Sequence, residues 1–485
     1  MNPYTEANLK YGRYQSRRFF LRQCIGGLGA MALGNLLGCT SDSVPNLALG
    51  VSAAHTHFVP RAKRVIFLHM AGAPSQLELF DYKPTLQQYD GQPCPASLLE
   101  GKRFAFLQGT PKMMGPQATF RQVGQSGAWL SHHLPHLADW VDDICFLKAM
   151  HTDEFNHAPA QLFMHTGSPR LGRPSMGSWV MYGLGSENED LPGFVVLTSG
   201  SDPSAGKSVW GSGFLPSLYQ GVQCRSQGDP ILYLNNPENI DDRLRKQSIE
   251  AINEINRLEY EQVGDPEILS RIAQYELAFR MQAEVPEVMD ISKEPDYIHQ
   301  MYGTQPGRIS FANNCLLARR LVEQGVRFVQ LYDVAWDHHG AGKGNGVVEG
   351  LAHACRNIDQ PVAALLADLK MRGLWEDTLV VWGGEFGRTP MMETRASGAD
   401  FRGRDHHSDA FTMWMAGGGV KGGMSYGQTD ELGYYGVEGR VHIHDLQATI
   451  LHCLGLDHER LTYHFQGRNF RLTDVHGEVV KDILA

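Results

Sequence analysis

Cysteine is scarce in this sequence and is never spaced for a cysteine-based site. Eight cysteines occur among 485 residues, and six of them follow the N-terminal region at wide intervals: Cys94, Cys145, Cys224, Cys315, Cys355 and Cys453. No pair has the spacing of a zinc knuckle or a dithiol redox motif, so both kinds of site are excluded. Export would permit a disulfide, but buried free thiols are the first expectation.

Basic residues are outnumbered by acidic ones. The chain has 43 lysines and arginines against 53 aspartates and glutamates, a formal net charge of −10 at pH 7. Binding nucleic acid through a broad surface needs a basic face, so this balance predicts no nucleic-acid partner. An anionic substrate would need a local cationic site, such as a metal ion.

Long apolar runs are missing beyond the N-terminal region, where a twin-arginine export signal is predicted over residues 1–39. Arg17 and Arg18 precede a small, glycine-rich apolar stretch from Cys24 to Leu37, as in such signals. We therefore expect export to the periplasm or cell envelope, with the twin-arginine machinery as a partner. At Cys39, two alternatives stay open: lipidation with membrane attachment, or removal by a cut near Ala53.

Short buried runs alternate with helical patterns along the rest of the chain. The runs cover residues 65–68, 194–197, 326–331, 379–382 and 411–415, and helical spacing covers residues 311–324 and 347–372. This alternation predicts an α/β fold, a doubly wound, mostly parallel sheet with helices on both faces. We expect one domain over residues 60–485, with a helical insertion near residues 240–300.

Acidic residues and histidines follow several of these strands. Ligands of open parallel sheets bind beyond the carboxyl ends of the strands, so loops carrying such residues meet there. Carboxylate oxygens and imidazole nitrogens suit divalent metals. The predicted ligands are Asp337, His338, His339, Glu385, Asp405 and His406. Alternating spacing favours Asp337 with His339, and His406 is weakly preferred to His407.

Several motifs together resemble an exported, uncharacterised bacterial family related to the sulfatases, within the alkaline phosphatase superfamily. They are the leader, residues 70–81, Trp336-Asp337-His338-His339, Gly384-Glu385-Phe386-Gly387-Arg388-Thr389-Pro390 and Gly403-Arg404-Asp405-His406-His407. The resemblance implies the superfamily's α/β sandwich and a site for phosphate or sulfate esters. A divalent metal, either zinc, manganese or calcium, is the expected cofactor.

The sequence also departs from the active pattern of that superfamily. Where sulfatases have the cysteine of Cys-x-Pro-x-Arg that becomes formylglycine, this chain has His157, followed by Ala158-Pro159-Ala160-Gln161. His157 is a candidate metal ligand, general base or nucleophile, with structural burial as the alternative. The superfamily's Asp-His-Gly is replaced by Glu385-Phe386-Gly387, and no acid directly follows the first strand. Arg388 is a candidate for binding the anion, with a surface ion pair as the alternative.

These features predict an exported, metal-dependent hydrolase of phosphate or sulfate esters, acting on a small or polymeric anionic substrate. The alternative is a catalytically silent relative that binds an anionic glycan or a protein partner at the cell surface. An export-dependent scaffold is a third hypothesis, for which the sequence offers no motif.

Overall fold

A computed structural model of the protein describes residues 56–231, 236, 239–393 and 401–485. The predicted leader, with Arg17, Arg18 and Cys39, lies outside the described residues. Within them, no helix combines the length and apolar character that crossing a bilayer requires. All six cysteines of this part are buried and unpaired.

A nine-stranded sheet forms the centre of the fold, in the order β12-β4-β11-β8-β1-β7-β5-β6, with β15 beside β4. All neighbouring strands are parallel except β11, which runs against β8 and β4. The strands are β1 Arg64–Met70, β4 Ile144–His151, β5 Phe194–Ser199, β6 Val222–Cys224, β7 Phe328–Asp333, β8 Thr378–Gly383, β11 Phe411–Gly417, β12 Met424–Tyr426 and β15 Val441–His442.

Four two-stranded pairs lie outside the central sheet. They are β2 Phe120–Val123 with β3 Ala128–Ser131, β9 Gly387–Arg388 with β10 His406–His407, β13 Gln428–Thr429 with β14 Gly436–Glu438, and β16 Tyr463–Phe465 with β17 Arg468–Phe470. The β9–β10 pair matters for the site because it places Arg388 opposite His406.

Ten helices are described. They are α1 Gln76–Leu79, α2 Pro84–Gln88, α3 His157–Thr166, α4 Met176–Leu184, α5 Asp242–Val263, α6 Pro266–Met289, α7 Asp296–Tyr302, α8 Phe311–Glu323, α9 Glu349–Met371 and α10 Ile443–Cys453. Helix α10 begins with a capping box in which the backbone N–H of His442 donates to Asp445 at 2.9 Å.

Both faces of the sheet are covered. Along β1, Ile66 and Leu68 belong to the hydrophobic cluster that includes Leu316 of α8 and Leu365 of α9. Val65 and Phe67 belong to the opposite cluster, which contains residues of α4 and α10. Because successive side chains of a strand point to opposite faces, a strand covered on both sides is apolar at most of its positions. The predicted doubly wound α/β fold, with helices on both faces, is confirmed.

Residues 236–276 belong to a compact unit separate from the rest of the described chain. The unit contains α5 and the first turns of α6. Asp241 caps α5 by accepting from the backbone N–H of Leu244 at 2.7 Å, and Asn253 donates to Glu276 at 3.2 Å.

Candidate metal centre

Five chain segments meet at one edge of the sheet. The carboxyl ends of β1, β4, β7 and β8 lie there, because these strands are parallel to one another, and so does the start of the antiparallel β11. Asp337 and His339 follow β7, Glu385 and Arg388 follow β8, His157 follows β4, and His406 precedes β11. The topology therefore brings together residues separated by more than two hundred positions in the sequence.

Three histidine side chains converge around Oδ1 of Asp337. His339 Nε2 lies 2.6 Å from this oxygen, His157 Nε2 3.1 Å and His406 Nε2 3.5 Å. One donor atom from each of the four residues lies within 4.8 Å of the others, so the group could hold a metal ion. The Asp337 side chain is 41% exposed, whereas that of His339 is 1% exposed, so solvent reaches the centre past Asp337.

Each of the three histidines is held through its other ring nitrogen. His339 Nδ1 lies 2.6 Å from Oε2 of Glu393, His406 Nδ1 lies 2.7 Å from the carbonyl oxygen of Phe155, and His157 Nδ1 lies 2.7 Å from Oε1 of Glu385. A carbonyl or carboxylate behind each imidazole is the usual outer shell of metal-binding histidines.

These outer contacts determine where the ring protons are. Carboxylate and carbonyl oxygens only accept, so Nδ1 of each histidine carries the proton and Nε2 presents a lone pair when the ring is neutral. His339 Nε2 and His406 Nε2 are only 3.0 Å apart, and both face the carboxylate of Asp337. Lone pairs and an anion repel each other at these distances, so the centre needs positive charge. Arg388 supplies part of it by donating to Asp337 Oδ1 at 2.6 Å, and a ring proton or a metal ion would supply the rest.

Burial and hydrogen bonding shift the acidities of this group. Burial raises the pKa of Asp337, but hydrogen bonds from His157, His339 and His406 outweigh it and hold the pKa well below its usual range. Burial opposes the charged form of His157, yet hydrogen bonds to Asp337 and Glu385 raise its pKa to about 9. Burial lowers the pKa of His406 to about 4. His157 therefore carries the proton at neutral pH when no other cation is present.

Two glycines let the loops approach each other this closely. Gly72, after β1, has φ +110°, and a Cβ there would lie 2.6 Å from the backbone nitrogen of Asp337. A Cβ on Gly403 would lie 2.1 Å from the carbonyl carbon of His339. Any side chain at either position would push the Asp337–His339 loop away from the other ligands.

Arg388 is fully engaged within the protein. Its side chain is 1% exposed and donates to the carbonyl oxygens of Ala73, Arg404 and Gly72, to Asp337 Oδ1 at 2.6 Å and, more weakly, to His339 Nε2. A guanidinium has five N–H donors, and these contacts use all five. Arg388 therefore holds Asp337 in place and has no N–H donor left for a substrate anion.

Glu385, His338 and Asp405 lie outside the four-residue group. Glu385 is fully buried behind His157 and also accepts from the backbone N–H of Gly72 at 3.0 Å. His338 is buried beside Gly350, and burial lowers its pKa to about 4. Asp405 accepts three backbone N–H groups, from Phe106, Leu107 and His406. Asp405 therefore organises the loop around the site, although it forms a second potential ligand group with His339 and Glu393.

Glu78 and Asp81, the two acids nearest the first strand, pair with residues outside the four-residue group. Glu78 pairs with Arg404, with Oε1 2.9 Å from Nε and 2.7 Å from Nη2, and both side chains are fully buried. Asp81 accepts from Thr429 and pairs with Lys83. Neither belongs to a potential metal group in the described part of the chain.

Several residues around the site have no signal in the sequence pattern. Glu393 lies beside His339 because it pairs with Gly403 in an isolated bridge. His69 lies 3.3 Å from Glu385, and His165 lies 3.2 Å from His69, deeper in the protein. Phe106 is 47% exposed, and its ring meets those of His339 and His406 edge to face at 4.9 and 5.5 Å. It forms an aromatic wall beside the opening.

The fold and the site together define an α/β protein with a candidate mononuclear metal centre at the carboxyl edge of its sheet. The family described as "Protein of unknown function (DUF1501)" matches residues 62–484, and the chain belongs to that family. No curated protein matches the sequence.

Solved structures of sulfatases and alkaline phosphatases resemble the chain at low identity. The PsFucS1 sulfatase from Pseudoalteromonas sp. has 12% identity and a TM-score of 0.36, covering 82% of this chain and 68% of its own. Alkaline phosphatase from the Antarctic bacterium TAB5 has 11% identity and a TM-score of 0.33, covering 81% and 98%. The lipoteichoic acid synthase LtaP from Listeria monocytogenes has 10% identity and a TM-score of 0.33, covering 91% and 80%. Such values say nothing about chemistry.

Proposed function

We propose that this protein hydrolyses phosphate or sulfate esters with one divalent metal ion held by His157, Asp337, His339 and His406. The observation that carries the proposal is the convergence of three Nε2 atoms on one Asp337 oxygen, with an acceptor behind every ring. Arg388 offsets part of the repulsion among these donors, and a metal ion is the cation that all four of them can share.

The donor set favours zinc or manganese. Three imidazole nitrogens and one carboxylate oxygen match the ligands of zinc and of similar transition metals. Calcium takes six to eight oxygen ligands, which this group does not offer. Of the three metals expected from the sequence, zinc and manganese therefore fit this donor set and calcium does not.

A divalent ion at the centre suits an anionic ester through direct contact. One carboxylate and three neutral imidazoles carry a charge of −1, so the ion and its four ligands together carry +1. Arg388 beside Asp337 formally adds +1, and the buried Glu385 and Glu393 behind the rings formally add −2. When bound, such an ion stabilises negative charge on ester oxygens and makes a water molecule more acidic. Asp337 is the exposed ligand and His339 the buried one, so the ester approaches on the Asp337 side.

In this proposal His157 acts as a ligand and not as the nucleophile. Its Nδ1 is committed to Glu385 and its Nε2 faces the metal group, which leaves no ring nitrogen to attack a substrate. Glu385 sets the tautomer of His157 and so positions its lone pair. The missing formylglycine cysteine is then no obstacle to hydrolysis, because this chemistry does not require it.

Turnover of aryl phosphate and aryl sulfate panels by the metal-loaded protein tests the proposal. We expect His339→Ala and His406→Ala to lower kcat/KM by about 100-fold or more. His407→Gln is the matched control, because the neighbouring His407 ring points away and bonds to the carbonyl oxygen of Tyr434. Equal activity of His406→Ala and the control would overturn the proposal.

A second candidate is a protein that binds a partner without catalysis. The ion pair between Arg388 and Asp337, at 2.6 Å, favours it, because Arg388 supplies part of the positive charge that a metal would bring. A folded protein that retains no metal and turns over no ester would support this candidate.

We also propose that the protein is exported by the twin-arginine machinery to the periplasm or cell envelope. The sequence Ser16-Arg17-Arg18-Phe19-Phe20 supports this. Replacing Arg17 and Arg18 with lysine should retain the full-length protein in the cytoplasm, as followed by cell fractionation. Mass spectrometry of the mature N-terminus would show whether Cys39 is lipidated or removed.

A further inference from the structure

A second cavity opens at the same edge of the sheet as the metal centre. It has a volume of about 550 Å³ and lies beyond the carboxyl ends of β5 and β6, lined by residues that include Thr198, Lys207, Trp210, Gln223 and Arg225. A volume of this size accommodates a small organic ligand. The metal centre does not use any of these residues.

The charge of the cavity is opposite to that of the whole chain. Lys207 and Arg225 both line it, and no carboxylate among the described residues pairs with either. Asp202 is the acid among the described lining residues, and it already accepts from the Gln223 amide at 2.8 Å. Two cations without a carboxylate partner in the described part of a protein of net charge −10 indicate a site that attracts an anion.

The remaining lining is rich in groups that bind hydroxyls. Gln220 and Gln227 present amides, each able to donate and accept. The Gln223 amide nitrogen already donates to Thr198 and Asp202, so its oxygen is the atom left for a hydroxyl. Ser226 also lines the cavity, and its buried Oγ has no hydrogen-bond partner among the described residues; a ligand contacts it once the side chain rotates.

The cavity and the metal centre are physically linked. Strand β5 is the direct neighbour of β7, with Ser199 opposite Asp333, and neighbouring strands are about 5 Å apart. Gln161 connects Glu385 to the loop that carries Asp202 and Lys207, since its amide nitrogen donates to Glu385 at 3.0 Å and its oxygen accepts from the backbone N–H of Ala205 at 3.0 Å. The two sites therefore lie on neighbouring strands at the same edge of the sheet.

We propose that this cavity binds an anionic sugar unit, and that the substrate is an anionic oligosaccharide or polysaccharide that spans the cavity and the metal centre. Lys207 and Arg225 contact the anionic group, and the glutamine amides and Ser226 contact the hydroxyls. The first half, binding of an anionic sugar unit in the cavity, is independent of the proposed function. The second half, a substrate that spans the cavity and the metal centre, rests on the proposed function.

Binding of glucuronate, an anionic sugar without an ester bond, to the mature protein, measured by titration calorimetry, tests the first half. The double variant Lys207→Ala/Arg225→Ala should bind about 10-fold more weakly or worse, because two charge-assisted contacts are lost. Lys63→Ala, which removes a cation outside the cavity that pairs with Asp377, should bind as the unmodified protein does. No binding by the unmodified protein at millimolar ligand would overturn the inference, and so would full affinity of the double variant.

Kinetics test the second half separately. The double variant should raise KM for a sulfated or phosphorylated oligosaccharide and leave KM for an aryl ester unchanged. An equal rise for both substrates would overturn the spanning substrate. If no ester is turned over while glucuronate binding responds as expected, the hydrolase proposal fails and the anionic sugar site stands.

Discussion

Replacing Glu385 with glutamine should weaken metal binding without removing any ligand. Glu385 Oε1 accepts from His157 Nδ1 at 2.7 Å and from the backbone N–H of Gly72 at 3.0 Å, while Oε2 lies 3.3 Å from His69. Glutamine keeps the shape but loses the charge that fixes the tautomer of His157 and makes its ring more basic. Changes in such outer contacts cost about 10- to 100-fold in metal affinity, which corresponds to about 1.4 to 2.7 kcal/mol.

Competition with a chromophoric chelator measures this affinity for zinc and manganese. Asp359→Asn is the matched control, because Asp359 is also buried but accepts from the backbone N–H groups of His136 and Leu137, far from the site in sequence. The control should bind metal as the unmodified protein does. If Glu385→Gln and the control have the same affinity as the unmodified protein, His157 is not a ligand held by Glu385.

Three further predictions concern stability and substrate contact. Glu78→Ala leaves the fully buried Arg404 without its carboxylate and should cost about 3–5 kcal/mol in urea unfolding; a loss below about 1 kcal/mol would show that the pair does not matter for stability. Burial lowers the pKa of His444 to about 4, below its usual 6.5, so its contribution to stability is complete above pH 6.5 and is lost as pH falls toward 4. This loss is about 3 kcal/mol at most. His444→Gln should therefore reduce the fall in unfolding free energy between pH 7 and pH 5, and an unchanged pH dependence would contradict the lowered pKa of His444. Phe106→Ala should raise KM for aryl esters about 2- to 10-fold, since an aromatic contact contributes about 0.5–1.5 kcal/mol, and metal affinity should stay the same; an unchanged KM would mean that the ring does not contact the substrate.

The central strands were predictable because strands buried on both faces consist of short runs of mainly apolar residues. Strands β1, β5, β8 and β11 each contain an unbroken apolar run, and β7 has one interrupted by the buried Gln330, since most of their positions meet one of the two hydrophobic clusters. The parallel order then places the loops after β1, β7 and β8 at one edge. The position of the site follows from these two facts.

Within the site, local spacing predicts some residues and misses others. Asp337 and His339 alternate along an extended loop and face the same centre, whereas His338 between them turns toward Gly350. The sequence indicates His157 only through the resemblance to sulfatases, because its position beside Asp337 depends on how β4 pairs with β11. Sequence distance alone gives no hint of that contact.

The missing acid after the first strand has a physical explanation. In its place Gly72 brings the backbone against the Asp337 loop and donates its N–H to Glu385. A side chain there would collide with that loop, so the position cannot also supply a ligand. Glu393 illustrates the opposite case: it contacts His339 because it pairs with Gly403 in an isolated bridge, which no periodicity records.

X-ray absorption at the metal edge of the purified protein tests the metal centre most directly. The expected result is one zinc or manganese ion per chain with three imidazole nitrogens and a carboxylate oxygen among its ligands, and with imidazole scattering reduced in His406→Ala. A well-folded protein that binds no metal, or one whose metal has sulfur ligands or only oxygen ligands, would contradict the account.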